Sequence, residues 1–600
     1  MFDDLLLWDA ANLAGLSLLV IAALWLRYTA RHDSLAAHVK LGDTTGVPST
    51  FPYIFPLLGS LPVTYLWDPR AFVLNRKNFF QSAHPVLVKI LTQEFYVIRG
   101  PENVKALFKN SWMCTSIPFV KFALGYAFGL PAKALSLYDK DDSGGGHVPH
   151  PGSNVEARNR IDYLVYQSLV RFLEGKGLSP FWNRFVDNIT QQLHGLNDRI
   201  GSDWEYHADL MKVVGDETTV SIINAFCGPH LLRLNPHFLQ DYWDFDRNLQ
   251  TYLQGTALEE HRKRIPLTSS AGIPWFLAPR ADAARKRVLN AVKIWQQHAR
   301  DHFNDSAISA DGDDPFWGSS FFRERQEIFL KWTVSTTLPS HPRILEQYGR
   351  ELYCGLHLSF EPVSADIVYR ARNSISAASW AIYDIYRDPE MLASVRAEVD
   401  ACVLKSPDGR IRFDIDQLLR LPVLQAVYAE TLRLRMHFYI IRMPDRVDIN
   451  IRDWIIPRRK VIVTPTTVAH MDSGVWNTGL KNEHPVDKFW IGRFLKYPST
   501  GDTGNTQPHN AISSSEFSTK GLEGSWIPYG GGPRQCPGRH FAKRQILLTI
   551  ALMVSLFDCE ILEEGKGVQE DFTLMGFGSG VSHPIGRVPM RIRRRSNSKM

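Results

Sequence analysis

The hydrophobic positions along the chain follow helical spacing far more often than strand spacing. From about residue 155 to residue 440, apolar residues recur with the period of amphipathic helices, and polar connections separate the helical stretches. The alternation of apolar and polar residues that is typical of strands is sparse and clusters near residues 90–99, 448–464 and 583–593. The pattern therefore predicts a mainly α-helical fold with small β-sheets.

An apolar stretch near the N-terminus has the length of a membrane span. Residues 5–26 read LLLWDAANLAGLSLLVIAALWL and would measure about 33 Å as a helix, enough to cross the apolar core of a bilayer. Asp3 and Asp4 precede the stretch while Arg27 and Arg31 follow it, so the positive-inside rule places the rest of the chain on the cytosolic side. A cleaved signal peptide would carry basic residues first. An amphipathic or buried soluble helix is the alternative.

Composition divides the chain into three predicted parts. Residues 1–31 form a membrane anchor, residues 32–62 form a proline-rich hinge, and residues 63–600 form the main body. Within the body, two segments rich in small and polar residues predict surface loops, at 139–153 and 497–525.

Charge and cysteine content exclude several classes of protein. The 68 basic residues are interleaved with 62 acidic residues and the net charge is only +6, so the chain has no nucleic-acid-binding stripe. The six cysteines show neither a C-x-x-C motif nor a regular framework, which argues against a disulfide scaffold and against a zinc site. We therefore expect a reducing compartment and reduced thiols.

One cysteine lies in a segment with unusual composition. Residues 526–542 read WIPYGGGPRQCPGRHFA, and Pro537 suits the first position of a helix, so we expect the Cys536 sulfur at a helix N-terminus, where a thiolate is favoured. Three consecutive glycines would let the backbone approach a flat ligand, while Arg534 offers a cation and Tyr529 an aromatic ring. Sulfur, ring and cation fit an iron porphyrin with carboxylate arms. A structural turn with a bystander cysteine is the alternative.

The spacing of this segment resembles the heme signature F-x-x-G-x-R-x-C-x-G of the cytochrome P450 superfamily, with tyrosine in place of the usual phenylalanine. The matching residues are Tyr529, Gly532, Arg534, Cys536 and Gly538. The resemblance implies that residues 63–600 are a heme-thiolate catalytic domain of the P450 fold. It also implies that the domain binds heme b, with Cys536 as the axial iron ligand and the other four as cofactor-binding residues.

A second motif supports the first. In LPVLQAVYAETLRLRM, Glu430 lies on the apolar stripe of a predicted helix, so its carboxylate needs a partner, and Arg433 lies on the same side of the helix. The pair resembles the family's E-x-x-R motif. The family completes this pair with a later arginine, which would be Arg493, although Ile491 replaces the proline usual in that segment. A solvated pair on the helix surface is the alternative.

The resemblance also assigns residues around the cofactor's other sides. Arg442 falls where a partner of a heme propionate is expected, with an ordinary surface arginine as the alternative. No clear W-x-x-x-R helix follows residue 150, so the N-terminal propionate ligand is unassigned.

The oxygen side of the site departs from the family pattern. Counting back from Trp380 places Asn373 where most members carry threonine, Arg372 at the usual acid and Arg370 at a glycine. Asn373 is the candidate catalytic residue, because an amide there would position water for proton delivery. Asparagine at this position resembles the branch of sterol and bile-acid hydroxylases and prostacyclin synthase. A shift of register by a few residues is the alternative.

The resemblance implies a membrane-bound monooxygenase that oxidises a lipophilic terpenoid, sterol, polyketide or alkaloid, as in fungal secondary metabolism. Its electrons would come from NADPH through a separate NADPH-cytochrome reductase, for which four basic residues after the cysteine offer a docking face: Arg539, His540, Lys543 and Arg544. A solvated helix face explains the four residues equally well. We expect a single-pass protein of the endoplasmic reticulum membrane, in contact with membrane lipid, with its catalytic domain in the cytosol and no nucleic-acid partner.

Two other functions stay open from the sequence. A heme-thiolate isomerase or dehydratase of the prostacyclin synthase type would need no redox partner, and a non-catalytic heme-binding protein would need no docking face. A flavin or nicotinamide enzyme is disfavoured, because GFGSGVSHP at 576–584 lacks both the glycine spacing and the following helix of a dinucleotide site.

Overall fold

The computed structural model describes most of the main body and little of the N-terminal segment. The described residues are 15, 17, 19–24, 26, 27, 46–51, 68–74, 83–90, 93–130, 132–254, 279–337, 372–404, 410–497, 515–573 and 576–596.

Helices make up most of the described chain. In chain order they are α1 (Pro69–Leu74), α2 (Pro101–Asn110), α3 (Ile117–Tyr126), α4 (Ala132–Leu135), α5 (Ile161–Leu173), α6 (Leu178–Arg199), α7 (Leu210–Cys227), α8 (His230–Leu234), α9 (Phe238–Gln254), α10 (Pro279–Asp301), α11 (Ser320–Thr337), α12 (372–387), α13 (Pro389–Asp400), α14 (Ile415–Leu418), α15 (Pro422–Arg435), α16 (Thr466–His470), α17 (Arg539–Leu556) and α18 (Glu563–Lys566).

The strands are short, and seven of the sixteen described belong to one sheet. They are β1 (Ser49–Thr50), β2 (Val86–Ile90), β3 (Gln93–Val97), β4 (Cys114–Thr115), β5 (Glu205–His207), β6 (Val403–Leu404), β7 (Arg412–Phe413), β8 (Met436–Pro444), β9 (Ile449–Ile451), β10 (Trp454–Ile456), β11 (Val461–Pro465), β12 (Leu495–Lys496), β13 (Glu516–Phe517), β14 (Phe557–Ile561), β15 (Ser579–Val581) and β16 (Met590–Arg594).

The largest sheet has the order β1-β2-β3-β11-β8-β15, and β4 also pairs with β8. Its strand β8 is antiparallel to β11, with Arg442 opposite Ile462, and antiparallel to β15, with Met436 opposite Val581. The smaller sheets are β14-β16-β5 and the pairs β9-β10, β12-β13 and β6-β7. Strand β8 thus joins the end of α15 to β15, and both strands border the site described below.

The core surrounds two helices that are buried on nearly every face. Residues 374–386 of α12 and 545–556 of α17 are all buried, as expected for helices that pass through the centre of a domain. Aromatic rings from α6 pack against the start of α17: Phe181 stacks on Phe541 with centroids 4.3 Å apart, and Phe185 meets Phe541 edge-on at 5.4 Å. This packing anchors the helix that follows Cys536.

The predicted mainly helical body with small sheets is confirmed, and the strand clusters correspond to β2–β3, β9–β11 and β16. The prediction missed β8, because its nine residues follow α15 with no glycine or proline between them, and only pairing with β4, β11 and β15 makes this segment a strand.

The predicted surface loop at 139–153 is wrong in one respect, since part of it is buried. Asp141 is 6% exposed and Ser143 is fully buried. The Asp141 carboxylate accepts hydrogen bonds from the backbone of Ser143 and of Asp162, so this polar segment satisfies its own backbone while it packs against α5. Most of the other predicted loop, residues 498–514, lies outside the described residues.

Most of the predicted anchor and hinge lies outside the described residues as well. Where the structure does describe the chain, it contains no helix with both the length and the apolar character needed to span a membrane.

Candidate active site

The segment around Cys536 folds into a compact loop held by its own backbone. The Cys536 amide donates to the Tyr529 carbonyl at 3.0 Å, and the Gln535 amide donates to the Gly532 carbonyl at 3.0 Å. The helix that follows begins at Arg539 with Gly538 as its N-cap, two residues later than the predicted start at Pro537, so Cys536 lies two residues ahead of the cap. The Cys536 side chain is exposed to a cavity.

This cavity of about 360 Å³ brings most of the predicted site residues together. Arg442 from β8, Arg534 and Cys536 from the loop, and Asn373 and Ser374 from α12 all line it. The remaining walls are mainly apolar: Leu173, Phe181, Ile222, Ile223, Phe226, Leu432, Met436, Phe438, Ile440, Pro528, Tyr529, Gly530, Pro537, Gly538, Phe541, Ala542 and Ile546. A thiol and two guanidinium groups therefore face a largely apolar space.

The glycines of the loop serve a different purpose from the one predicted. Gly530 lines the cavity, but a Cβ on Gly531 would lie 2.2 Å from the Phe108 ring, and one on Gly532 would lie 2.5 Å from the Phe108 carbonyl oxygen. Gly532 also has a φ of +71°, which disfavours other residues. The close approach of α2 therefore requires glycine at 531 and 532. Gly538 lines the cavity beside the sulfur.

Tyr529 takes the place of the family's phenylalanine without leaving a polar atom unsatisfied. Its hydroxyl lies 2.9 Å from the hydroxyl of Tyr428 on α15, and its ring lines the cavity. Burial, together with the neighbouring Tyr428, raises the pKa of the Tyr529 phenol well above its ordinary value. The residue therefore acts as a neutral aromatic wall, fastened to α15 by one hydrogen bond.

Glu430, Arg433 and Arg493 form a buried cluster with no exposed side-chain surface. The Glu430 carboxylate accepts from Arg433 Nε at 2.6 Å and Nη2 at 2.9 Å, and from Arg493 Nη1 at 2.6 Å. Burial lowers the pKa of the Arg493 guanidinium, while the Glu430 charge opposes that shift. The geometry places Arg493 as the third member although Ile491 replaces the expected proline. None of the three lines the cavity, so the cluster supports the fold and touches no ligand.

Arg442 and Arg534 lie side by side at one end of the cavity, but their surroundings differ. Arg442 is 8% exposed, and among the described residues its side chain bonds only to backbone carbonyls, including Gly531 O at 3.3 Å. Burial lowers its pKa to about 10. Its Nε finds no hydrogen-bond acceptor among the described residues. Arg534 donates instead to the Asp162 carboxylate at 2.5 Å and lies over the Tyr166 ring at 4.7 Å.

Sequence reasoning did not identify Asp162 and Tyr166. They lie one turn apart at the start of α5, where a W-x-x-x-R helix was sought. Nothing in their own spacing, D-x-x-x-Y, connects them with Arg534.

The donor set fits heme b, the group that the signature implies. The Arg442 nitrogen without an acceptor among the described residues would be satisfied by a cofactor carboxylate, the apolar walls suit a porphyrin face, and Cys536 supplies a soft sulfur ligand. The residues that would hold the group are Cys536 at the metal and Arg442 and Arg534 at the carboxylate end.

Residues distant in the sequence hold the α12 side of the cavity in place. The Asn373 Oδ1 accepts from the Val581 amide at 2.9 Å, and a Cβ on Gly580 would lie 2.0 Å from the same oxygen. The neighbouring Arg372 lies with its Nε 2.6 Å from Asp246 of α9. Arg370 lies outside the described residues.

Asp246 contacts two nitrogen-bearing side chains, those of Arg372 and His583. Its second carboxylate oxygen lies 2.9 Å from Nε2 of His583, while the Asp246 side chain itself is fully buried. Burial acts to raise the pKa of Asp246, but the charges of Arg372 and His583 outweigh it, so the pKa lies below its ordinary value. The unusual arginine of α12 therefore has a dedicated carboxylate from another helix, and sequence reasoning missed both Asp246 and His583.

The basic residues predicted to form a docking face are largely engaged within the protein. Arg539 pairs with Glu174, Lys543 donates to the Gln425 amide oxygen at 2.5 Å, and Arg544 lies 5.8 Å from the Trp182 ring. Burial also lowers the pKa of Lys543. His540 is exposed. The face therefore presents less available positive charge than the sequence suggested.

Comparison with known proteins agrees with this geometry. The family model for cytochrome P450 matches residues 372–583. The chain is 30% identical over 598 residues to cytochrome P450 monooxygenase efuG of Hormonema carpetanum, covering 97% of this chain and 96% of the relative. It is 30% identical over 91% of its length to cytochrome P450 monooxygenase fsoE of Humicola fuscoatra, of which 88% is covered. It is 26% identical to cytochrome P450 monooxygenase calL of Penicillium decumbens, over 83% of each chain.

The chain belongs to the cytochrome P450 family. Within the family it is a P450 monooxygenase, and the predicted likeness to fungal members is confirmed.

Proposed function

We propose that this monooxygenase binds heme b through Cys536 and oxidises a lipophilic terpenoid, sterol, polyketide or alkaloid in secondary-metabolite biosynthesis. The observation that carries the proposal is the cavity in which a cysteine thiol and two arginines face largely apolar walls. The similarity to fungal P450 monooxygenases over nearly the whole chain supports it.

Each residue has a role in this proposal. When bound, the heme supplies oxygen activation that no side chain provides. Cys536 is the iron ligand, Arg442 and Arg534 bind the carboxylate arms, and Tyr529 packs against the porphyrin. The apolar walls hold a lipophilic substrate and exclude water from the reacting atoms.

Asn373 is the proposed catalytic residue at the α12 wall. Because its Oδ1 accepts from the Val581 amide, the amide orientation is set and the NH₂ group remains as the donor. A donor of this kind orients a water molecule or an oxygen atom of the substrate.

The cellular setting is also part of the proposal. Residues 1–31 anchor the chain in the endoplasmic reticulum membrane, residues 32–62 form a hinge, and residues 63–600 form the catalytic domain on the cytosolic side. Support comes from the apolar stretch at 5–26 and the basic residues that follow it. A separate NADPH-cytochrome reductase supplies electrons. Arg539 pairs with Glu174 and Lys543 donates to Gln425. Docking of the reductase therefore also depends on other charged residues near His540 and Arg544.

Purified full-length protein tests the ligand assignment. We expect stoichiometric heme and, for the reduced carbon monoxide adduct, the red-shifted Soret band of thiolate ligation. Cys536→Ser should lose that band, whereas Cys402→Ser, a matched change at a buried cysteine that does not line the cavity, should keep it. A folded wild type without heme, or a Cys536→Ser variant with the wild-type spectrum, would contradict the proposal.

A further inference from the structure

The ion pair between Arg534 and Asp162 occupies a particular place relative to the cavity. Arg534 lines the cavity, whereas Asp162 does not, so the arginine lies between the carboxylate and the space for a ligand. The Asp162 side chain is 7% exposed and that of Arg534 is 12% exposed. Asp162 therefore contacts the cavity only through the guanidinium that it binds.

The pair is enclosed by residues that exclude water. The Tyr166 ring covers the guanidinium, and the Tyr166 hydroxyl donates to the Pro533 and Gln535 carbonyls, at 2.9 and 3.1 Å. On another side, a Cβ on Gly145 would lie 1.4 Å from Arg534 Nη2 and 2.6 Å from Asp162 Oδ2, so the loop backbone rests on the ion pair. A charge enclosed in this way acts on its neighbours more strongly than one exposed to solvent.

The position of Asp162 is fixed from its own backbone as well. Its amide donates to the Asp141 carboxylate at 3.1 Å, and it is the second residue of α5, where the helix dipole favours a negative charge. The backbone of Asp162 is thus held in place independently of Arg534.

The two arginines at this end of the cavity consequently differ in net charge. Arg442 bonds to backbone carbonyls and pairs with no carboxylate among the described residues, whereas Arg534 shares its charge with Asp162. One arginine presents a full positive charge to a ligand, and the other presents a charge that is already partly neutralised.

We propose that Asp162 is a positioning residue that weakens the hold of Arg534 on one carboxylate of the cofactor and lowers the reduction potential of the bound iron. The inference rests on the proposed function, because it requires heme in this cavity. A fixed negative charge beyond the arginine stabilises the more positively charged, oxidised iron. It also competes with the cofactor carboxylate for the same guanidinium.

Asp162→Asn in the full-length holoenzyme at pH 8 tests the inference, since asparagine keeps a carbonyl acceptor for Arg534 and removes the charge. The midpoint potential should rise, and heme transfer to excess apomyoglobin should slow by about tenfold, because the arginine becomes available to the cofactor carboxylate. Asp162→Glu keeps the charge and should restore both values toward the wild type. Asp139→Asn removes a charge from an exposed pair with Lys121 in the same region and should change neither value.

The direction of the changes in midpoint potential and in heme loss distinguishes this role from a purely structural one. If Asp162 only holds Arg534 in place, the asparagine variant loses heme faster and its potential does not rise, which would overturn the inference. If the wild type shows a normal thiolate spectrum and Asp162→Asn leaves the potential unchanged, the inference fails while the proposed function stands. A wild type that binds no heme would overturn both.

Discussion

Two walls of the cavity satisfy their charged and polar residues in different ways. The cysteine wall, residues 528–542, satisfies part of its backbone within its own segment, as in the hydrogen bond from the Cys536 amide to the Tyr529 carbonyl, while Arg534 pairs with the distant Asp162. The central-helix wall, Asn373 and Ser374 with the adjacent Arg372, depends on partners from distant segments: Asp246, Val581 and His583. A contiguous motif therefore sets the backbone of the first wall, whereas the side chains of both walls need partners from distant segments.

The ion clusters behind the two walls also differ, in how far they are exposed to solvent. In each, one buried carboxylate contacts two nitrogen-bearing side chains: Glu430 binds Arg433 and Arg493, and Asp246 lies between Arg372 and His583. The Glu430 cluster has no exposed side-chain surface, whereas the His583 side chain is 25% exposed. The cluster behind the central helix is therefore open to solvent at one edge, and we expect it to tolerate substitution better.

Loss of Glu430 should have the largest effect. Glu430→Ala leaves two buried guanidinium groups without their carboxylate, at a cost of about 3–5 kcal/mol in the free energy of unfolding. Heme content should fall with it. Urea unfolding and the heme-to-protein ratio measure the two effects.

The matched control for Glu430→Ala is Glu327→Ala, which removes an exposed pair with Lys331 and should cost about 0.5 kcal/mol or less. A Glu430→Ala protein with normal stability and normal heme content would show that the cluster of Glu430, Arg433 and Arg493 does not support the fold.

Breaking the ion pair behind the central helix should have a smaller effect. Arg372→Met leaves the buried Asp246 carboxylate without its arginine, with only the His583 ring beside it, at a cost of about 2–4 kcal/mol by the same unfolding measurement. Adding Asp246→Leu removes the unpaired charge and should recover part of the loss. If the double variant lost more free energy of unfolding than the two single variants together, the ion pair would not account for the cost.

The stability of the folded protein should be sensitive to acid through His470, which bonds to the segment just before the cysteine wall. This buried residue accepts from the Ile527 amide at 3.2 Å, and burial lowers its pKa to about 3. Below about pH 6.5, His470 therefore binds a proton in the unfolded chain but not in the folded protein. The free energy of unfolding falls as the pH drops from about 6.5 toward 3, by about 2 kcal/mol at pH 5.

His470→Gln, which keeps an acceptor, should flatten this dependence in unfolding curves recorded between pH 8 and pH 5. This range lies above the ordinary pKa values of aspartate and glutamate side chains. The control His302→Gln changes an exposed histidine and should leave the slope as it is. An unchanged slope for His470→Gln would rule out His470 as the source.

The smallest effect on stability, with a specific effect on catalysis, is expected at Asn373. Asn373→Leu removes the acceptor for the Val581 amide and should cost about 1 kcal/mol. Because the donor facing the cavity is also lost, NADPH consumption should continue with a reductase while product per NADPH falls and hydrogen peroxide is released.

Labelled oxygen in the product and a peroxide assay measure this coupling. Ser379→Ala, at a residue whose hydroxyl bonds to the Ile375 carbonyl of the same helix, is the control and should remain coupled. Unchanged coupling in Asn373→Leu would remove Asn373 from the catalytic role.

What the sequence predicted well are the features that depend on neighbours along the chain. The Tyr529-to-Gly538 segment, the Glu430 and Arg433 pair and the amphipathic helices are all local patterns, because a loop or a helix face is set by residues within a few positions. Arg493 followed from the family resemblance, and the structure places it beside Glu430.

The tertiary structure alone decided which distant residues meet. Asp162 beside Arg534, Asp246 beside Arg372 and the contact of α2 with Gly531 each join segments far apart in the chain. No local spacing identifies such partners, since a buried charge requires an opposite charge but does not specify where in the sequence it comes from. The sequence determined which groups needed partners, and the packing of the helices determined which residues supplied them.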